Sequence, residues 1–223
     1  MVLVAGVATS GAAHAAFVLI PLTSANAGTE HVSLVSNGDF ENFGDPSTHA
    51  FPPNYGRFGD AFDASVINGY ASNGGFAANG HADGNAGASG YAHDVVSLVA
   101  STDYVLSGYI WNFSDATHTV NSNIDLNDAV GSSRITVGPG IANATTGYFG
   151  YSTFNTSTTG VNVVPRVFYD GLSQSNTQLS TIAQWDNLSI TLADTAANRL
   201  AFPNGVFFAP PSSVPEPAAC VLL

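Results

Sequence analysis

One ten-residue run constrains the fold of this chain more than any other: Tyr104-Val105-Leu106-Ser107-Gly108-Tyr109-Ile110-Trp111-Asn112-Phe113. Side chains alternate between faces along a strand, so Tyr104, Leu106 and Ile110 point one way and Val105, Tyr109, Trp111 and Phe113 the other. With both faces apolar, the strand is either central or carries a working surface on one side. Shorter runs of the same kind recur at Gly90 to Leu98, at Asn162 to Tyr169, and where Leu188, Ile190 and Leu192 alternate with Asn187, Ser189 and Thr191. The first of these is expected to pair with the long strand through a turn at Val99 to Asp103. Pro165 marks the second as an edge strand or a bulge. Turn-forming Gly, Ser, Thr and Asn fill the intervals, and Asn68 to Gly90 reads as a long loop or irregular edge. No 3.6-residue period is sustained beyond residue 27, so the expectation is an all-β sandwich spanning residues 28–193.

Charge narrows the partners. Sixteen acidic residues face four arginines and no lysine, for a net charge of −12. Such a chain repels phosphate backbones and anionic lipid, which argues against nucleic-acid binding and makes divalent cations the natural small partners. The single cysteine, Cys220, rules out an internal disulfide and a zinc–thiolate cluster. At the amino end, Val2 to Leu22 is uncharged and apolar and leads into Thr23-Ser24-Ala25-Asn26-Ala27, a small-residue cleavage site. Residues 1–27 therefore read as a secretory signal peptide cut after Ala27. The alternative, an apolar helix of the domain, is weakened by Gly6, Gly11 and Pro21. No Lys or Arg precedes the apolar run, so a start upstream of Met1 is expected. Residues 194–213 read as a linker, ending in Ala209-Pro210-Pro211-Ser212-Ser213.

Residues 214–223 are of another kind. Two prolines around a glutamate, Pro215-Glu216-Pro217, cannot continue a helix or an interior strand. The stretch Val214 to Leu223 resembles the start of a PEP-CTERM sorting signal, found on many exported bacterial proteins. That resemblance implies export and sorting machinery as partners and a cell-surface or extracellular location. In that family an apolar membrane helix and an Arg-rich end follow the motif. Here six apolar residues, Ala218 to Leu223, stand where a span needs ~20. The expectation is that the sequence is truncated before its anchor or the protein is unanchored, meeting the membrane only transiently through its terminal segments.

Two motifs bracket the β-region: Val32-Ser33-Leu34-Val35-Ser36-Asn37-Gly38-Asp39-Phe40-Glu41-Asn42 and Gln184-Trp185-Asp186-Asn187-Leu188-Ser189-Ile190. The pair resembles the first and last strands of carbohydrate-binding-module-like, galactose-binding-type jelly rolls, and Ser101 to Tyr109 is similar to that family's turn followed by a Tyr-x-Leu-Ser strand. The resemblance implies a jelly-roll β-sandwich of two antiparallel sheets whose terminal strands lie together and share a structural calcium ion. On the positions that match, the ligands would be Glu41 and Asp186, with Asp39 a third; backbone carbonyls at strand ends would complete a hard-oxygen site. The alternative is that these are turn carboxylates satisfying nearby N–H groups. Asp125-Leu126-Asn127-Asp128 lacks the Gly and Glu of an EF-hand loop, since Val130 and Thr136 occupy those positions, and reads as a solvated turn.

Three classes of function follow. A glycan-binding module for surface polysaccharide or an exopolysaccharide matrix would use flat aromatic faces and hydroxyl-catching polar groups. On this reading Tyr109 and Trp111 form a platform on the face opposite Tyr104, Leu106 and Ile110, flanked by Tyr148, Tyr151 and Phe154; alternatively Tyr109 and Trp111 pack beneath a loop. A structural or adhesive biofilm component needs no pocket. A glycoside hydrolase would rest on Asp39 and Glu41, which project to the same side of a strand end. No Gly-x-Ser-x-Gly elbow or His-Glu-x-x-His helix is present, and His31, His49, His81, His93 and His118 are scattered at positions that read as exposed. The expectation is a non-enzymatic, glycan-binding surface or matrix protein.

Overall fold

A computed structural model describes residues 17–21, 33–42, 53–58, 78–82, 88–114, 119–127, 133–138, 147–156, 161–171 and 180–210. Among these are strands β1 (Phe17–Pro21), β2 (Tyr55–Phe58), β3 (Ala78–Ala82), β4 (Ser89–His93), β5 (Val96–Leu98), β6 (Asp103–Asn112), β7 (Asn121–Asn127), β8 (Arg134–Val137), β9 (Tyr148–Asn155), β10 (Val161–Asp170) and β11 (Ser180–Leu192), with one short helix, α1 (Ala196–Ala201). They form two antiparallel sheets, a five-stranded one in the order β1-β9-β6-β11-β3 and a six-stranded one in the order β2-β4-β10-β7-β8 with β5 beside β10. Successive strands mostly switch sheets. That crossing makes the molecule a β-sandwich of jelly-roll type.

The faces of β6 fall as its alternation dictates. Tyr104, Leu106 and Ile110 enter the main core between the sheets with Tyr91, Ile124, Ile135, Val167, Tyr169, Trp185, Leu188 and Ile190. Val105, Tyr109 and Trp111 lie on the outer side, in a second apolar cluster with Phe149 and Phe208. Gly108 sits where β6 faces the core, and a Cβ there would meet Ile124 Cδ1. Burying side chains of this size stabilises by ~1.5–3 kcal/mol each. A polar tie joins the sheets as well: the buried amide of Asn112 donates to the carbonyls of Val120 (2.8 Å) and Val137 (2.6 Å).

Several expectations are corrected. The Gly90–Leu98 run does not pair with β6: β4 and β5 both pair with β10, and the chain crosses between sheets at the following turn. Pro165 lies in a central strand. It escapes the cost of a missing N–H because β4 covers residues 166–169 and β5 covers 161–163, so it faces the break between them while pairing with Leu126 of β7. Of the two readings of Asn68–Gly90, the irregular edge holds at Ala78 to Ala82, an edge strand on β11 with a register shift in its pairing. Asp125 belongs to β7 and not to a solvated turn. His93 is buried, at 6% exposure. His31, His49 and His118 lie outside the described residues, as do the side chain of His81, the Ala27 cleavage site and the Pro215-Glu216-Pro217 motif.

The two terminal regions also carry structure. Residues Phe17 to Pro21, within the expected signal peptide, pair antiparallel with β9, and Leu19 reaches the main core. In the expected linker, Thr195 caps α1, accepting the Asn198 N–H (3.1 Å), and the Asn198 amide donates to the carbonyls of Asp103 (2.7 Å) and Ala193 (2.8 Å).

Candidate functional site

The bracketing motifs meet. Leu34 N–H donates to the Ile190 carbonyl (2.9 Å), Leu188 N–H to the Gly38 carbonyl (2.8 Å), and Ile190 N–H to Ser33 Oγ (3.1 Å). Gly38 lies so close to β11 that a Cβ would fall on the Leu188 carbonyl oxygen. Asn37, Phe40 and Asn187 adopt left-handed backbone, with φ of 53°, 54° and 50°. Such conformations cost energy in residues other than glycine and persist only where the surroundings enforce them. A cleft of about 150 Å³ lies between the segments, lined by Ser33, Asn37, Asp39, Asn187 and Ser189 among others.

Asp39 and Asp186 sit on either side of this junction. Asp186 is fully buried and accepts the Asn187 N–H (2.7 Å); Asp39 accepts the Glu41 N–H in a long contact of 3.4 Å. Beside them is Tyr55, buried against Phe40 (5.0 Å between ring centroids) and edge-on to His93 (4.8 Å), its hydroxyl without a hydrogen-bond partner. Burial raises the Tyr55 phenol well above its ordinary pKa of 10.0, and the charges of Asp39 and Asp186 raise it further. Among the described residues no three His, Cys, Asp or Glu side chains gather into a metal-binding group. Glu41 thus does not complete a carboxylate triad with Asp39 and Asp186.

The aromatic residues singled out from the sequence are divided. Tyr109 stacks on Trp111 (6.3 Å, 25°) and meets Phe149 edge-on (5.2 Å), and Phe149 packs with Tyr151 (6.2 Å) on the outer face of the five-stranded sheet. Tyr148 is on the other side of β9 and packs against the main core, as does Phe154. Nor is the platform open: Tyr109 and Trp111 are buried, and Phe208 of the carboxy-terminal segment lies over Phe149 (6.2 Å, 9°) and Tyr151 (5.1 Å).

A different surface combines accessibility with polar reach. On the outer face of the six-stranded sheet, β10 presents Arg166, Phe168 and Asp170, alternating with core residues Val167 and Tyr169. Arg166 grips Asp125 of β7 through two hydrogen bonds of 2.8 Å. Arg134 of β8 donates to Asp170 (2.9 Å), which also accepts from Asn121 (3.0 Å), and Thr136 donates to Asn123 (2.8 Å). Both guanidiniums lie over Phe168, at 4.8 and 5.2 Å, and Arg166 also reaches Phe58 (5.7 Å). Arg134 Nε is buried without a hydrogen-bond partner, 3.9 Å from the Asp125 carboxylate. Side-chain exposures of 24% for Arg166, 31% for Arg134 and 28% for Asp170 leave the network open to a ligand. Of the four arginines in the chain, three (Arg57, Arg134, Arg166) are on strands of this sheet. Sequence reasoning missed the surface because its partners are 36 to 49 residues apart; the concentration of so rare a residue type on predicted strands was the available signal.

No protein-family model matches the chain, and no curated protein does. Similar solved structures include the carbohydrate-binding module TmCBM61 in complex with β-1,4-galactotriose, at 14% identity and a TM-score of 0.47, covering 73% of this chain and 99% of that one. Another is the enzymatically active domain of tailspike protein 4 from bacteriophage CBA120, at 13% identity and a TM-score of 0.45, covering 72% of this chain. The match spans about a fifth, 21%, of the tailspike chain.

Proposed function

We propose that the protein is a non-enzymatic glycan-binding module whose binding surface is the outer face of the six-stranded sheet. The observation that carries this reading is the Arg134–Asp170, Arg166–Asp125 network spread around Phe58 and Phe168. Guanidinium forks donate to hydroxyl oxygens, carboxylates accept from hydroxyl protons, and their mutual bonds hold both at fixed spacing before a ligand arrives. Phe58, partly buried, offers an apolar face to the C–H side of a sugar ring. Two positive and two negative groups cancel locally, so the surface suits an uncharged polysaccharide, while the chain's net charge of −12 opposes uronate-rich or sulfated ones. This matches a protein exported to a cell surface or matrix, the location that the expected signal peptide and sorting motif imply.

Calcium is a second part of the proposal. Asp39 and Asp186 supply hard oxygens beside a turn held in left-handed backbone, and Glu41 is the adjacent carboxylate of that turn. Bound there, the ion would fasten the first and last segments of a fold without disulfides.

The test is titration of the protein against neutral and acidic polysaccharides by affinity electrophoresis and calorimetry. Binding to a neutral glycan that weakens at least tenfold in Arg166→Gln and in Asp170→Asn is the expected result. Binding that ignores both substitutions, or none to any member of the panel, overturns the assignment.

A further inference from the structure

Resting on the glycan-binding reading, we propose that the outer face of the five-stranded sheet is a second glycan site, latched shut by Phe208. Trp111, Tyr109, Phe149 and Tyr151 form a row of neighbouring rings, and Phe208 lies over its Phe149–Tyr151 end, nearly parallel to Phe149. A flat group stacked on an aromatic floor is how a pyranose ring would sit there. Phe208 therefore occupies the place of a sugar.

The same face holds a polar group with nothing to bond. Ser107 is fully buried, its Oγ has no hydrogen-bond partner, and it pairs across the ladder with Tyr151, which sets the two side chains side by side. A buried hydroxyl in that state has lost its water without gaining a partner, a cost that a ligand hydroxyl would relieve. None of Val105, Ser107, Tyr109, Trp111, Phe149 and Tyr151 is charged, so the ligand class is again an uncharged glycan.

The latch is fastened unevenly. Upstream, α1 is fixed by Asn198 to the carbonyls of Asp103 and Ala193, and Arg199 holds Asp194 through two hydrogen bonds of 2.5 and 2.8 Å. Downstream of Gly205 the segment meets the sheet at an isolated bridge between Leu192 and Phe207 and at the Phe208 N–H bond to the Leu192 carbonyl (2.8 Å), and Arg199 of α1 lies over the Phe207 ring (5.0 Å).

The experiment compares Arg166→Gln, which silences the first surface, with Arg166→Gln/Phe208→Ala, in calorimetric titration against soluble neutral polysaccharides. Removing Phe208 is expected to tighten binding about tenfold, the change produced when a closed state loses a tenfold preference. Adding Tyr151→Ala should abolish the gain. Phe208→Leu, which keeps an apolar plug, should give a smaller gain and serves as the folded control. Phe208→Ala alone should also raise uptake of the neutral dye Nile red. Unchanged affinity, a gain that survives Tyr151→Ala, or unchanged dye uptake overturns the latch. A wild-type protein that binds no glycan overturns the first surface only, because a Tyr151-dependent gain on losing Phe208 would still establish the second.

Discussion

Tyr55 shows how much one side chain records about its surroundings. Its hydroxyl is buried, unpartnered and close to two carboxylates, so the native state holds the phenol proton more tightly than the unfolded chain does. The linkage has a definite sign: native and unfolded states bind the same proton below about pH 10, and above it the unfolded chain releases a proton that the native state keeps. Stability should be flat up to that pH and fall beyond it. Urea midpoints at pH 8 and pH 11 check this, and Tyr55→Phe should flatten the decline while leaving the protein as stable or up to ~1 kcal/mol more stable at pH 8, since it removes an unsatisfied buried hydroxyl. Asp39→Asn, by removing one negative charge, should lower the phenol pKa, read by ultraviolet titration. From sequence, Glu41 and Asp186 were matched as a pair through the resemblance, with Asp39 a third, because each lies in one of the two bracketing motifs. Tyr55 was not, because it is placed beside Asp39 and Asp186 by a strand of the opposite sheet.

At the scale of elements, two contacts hold the design together. The segment Ser33–Asn42 is clasped to β11 by backbone bonds whose closeness admits no side chain at residue 38. Gly38→Ala should cost at least ~2 kcal/mol, seen as a lowered urea midpoint with an unchanged slope, because β11 backbone must move to make room. The second contact is the three-strand strap of β7, β10 and β8 formed by Asp125, Arg166, Arg134 and Asp170. Arg166→Lys keeps the charge and loses the two-pronged grip. It should weaken glycan binding several-fold while costing about 1 kcal/mol of stability, the scale of a half-exposed ion pair. Alternation made β4, β5, β6, β10 and the end of β11 readable, while β7 was read in part as a turn and β1 as signal peptide. The partner of each strand was not readable: β5 and β6 adjoin in sequence yet lie in different sheets, since alternation says which side a residue faces and nothing about which neighbour its backbone meets.

For the whole molecule, the terminal regions matter most. Cleavage after Ala27 would remove β1 and with it Leu19 from the core, opening the edge of β9. We expect amino-terminal sequencing of the exported protein to begin at Gly28; a start before Phe17 would make β1 a permanent strand. Calcium at a hundredfold excess over its dissociation constant should stabilise the fold by ~2.7 kcal/mol, an effect that a chelator and Asp186→Asn both remove in thermal melts. By itself the sequence determined that this chain is β-rich and how the side chains of its long strands divide between two faces, which are local patterns written in residue order. That its two bracketing motifs lie together was what the resemblance to galactose-binding-type jelly rolls implied. Only the tertiary structure decided which apolar face is covered and which polar face is open. The cover comes from Phe208, ninety-nine residues from Tyr109 in the chain, and the open surface from arginine–aspartate pairs separated by 36 and 41 residues. No periodicity encodes contacts at that range, because they arise from how the sheets and the carboxy-terminal segment pack after the strands have formed.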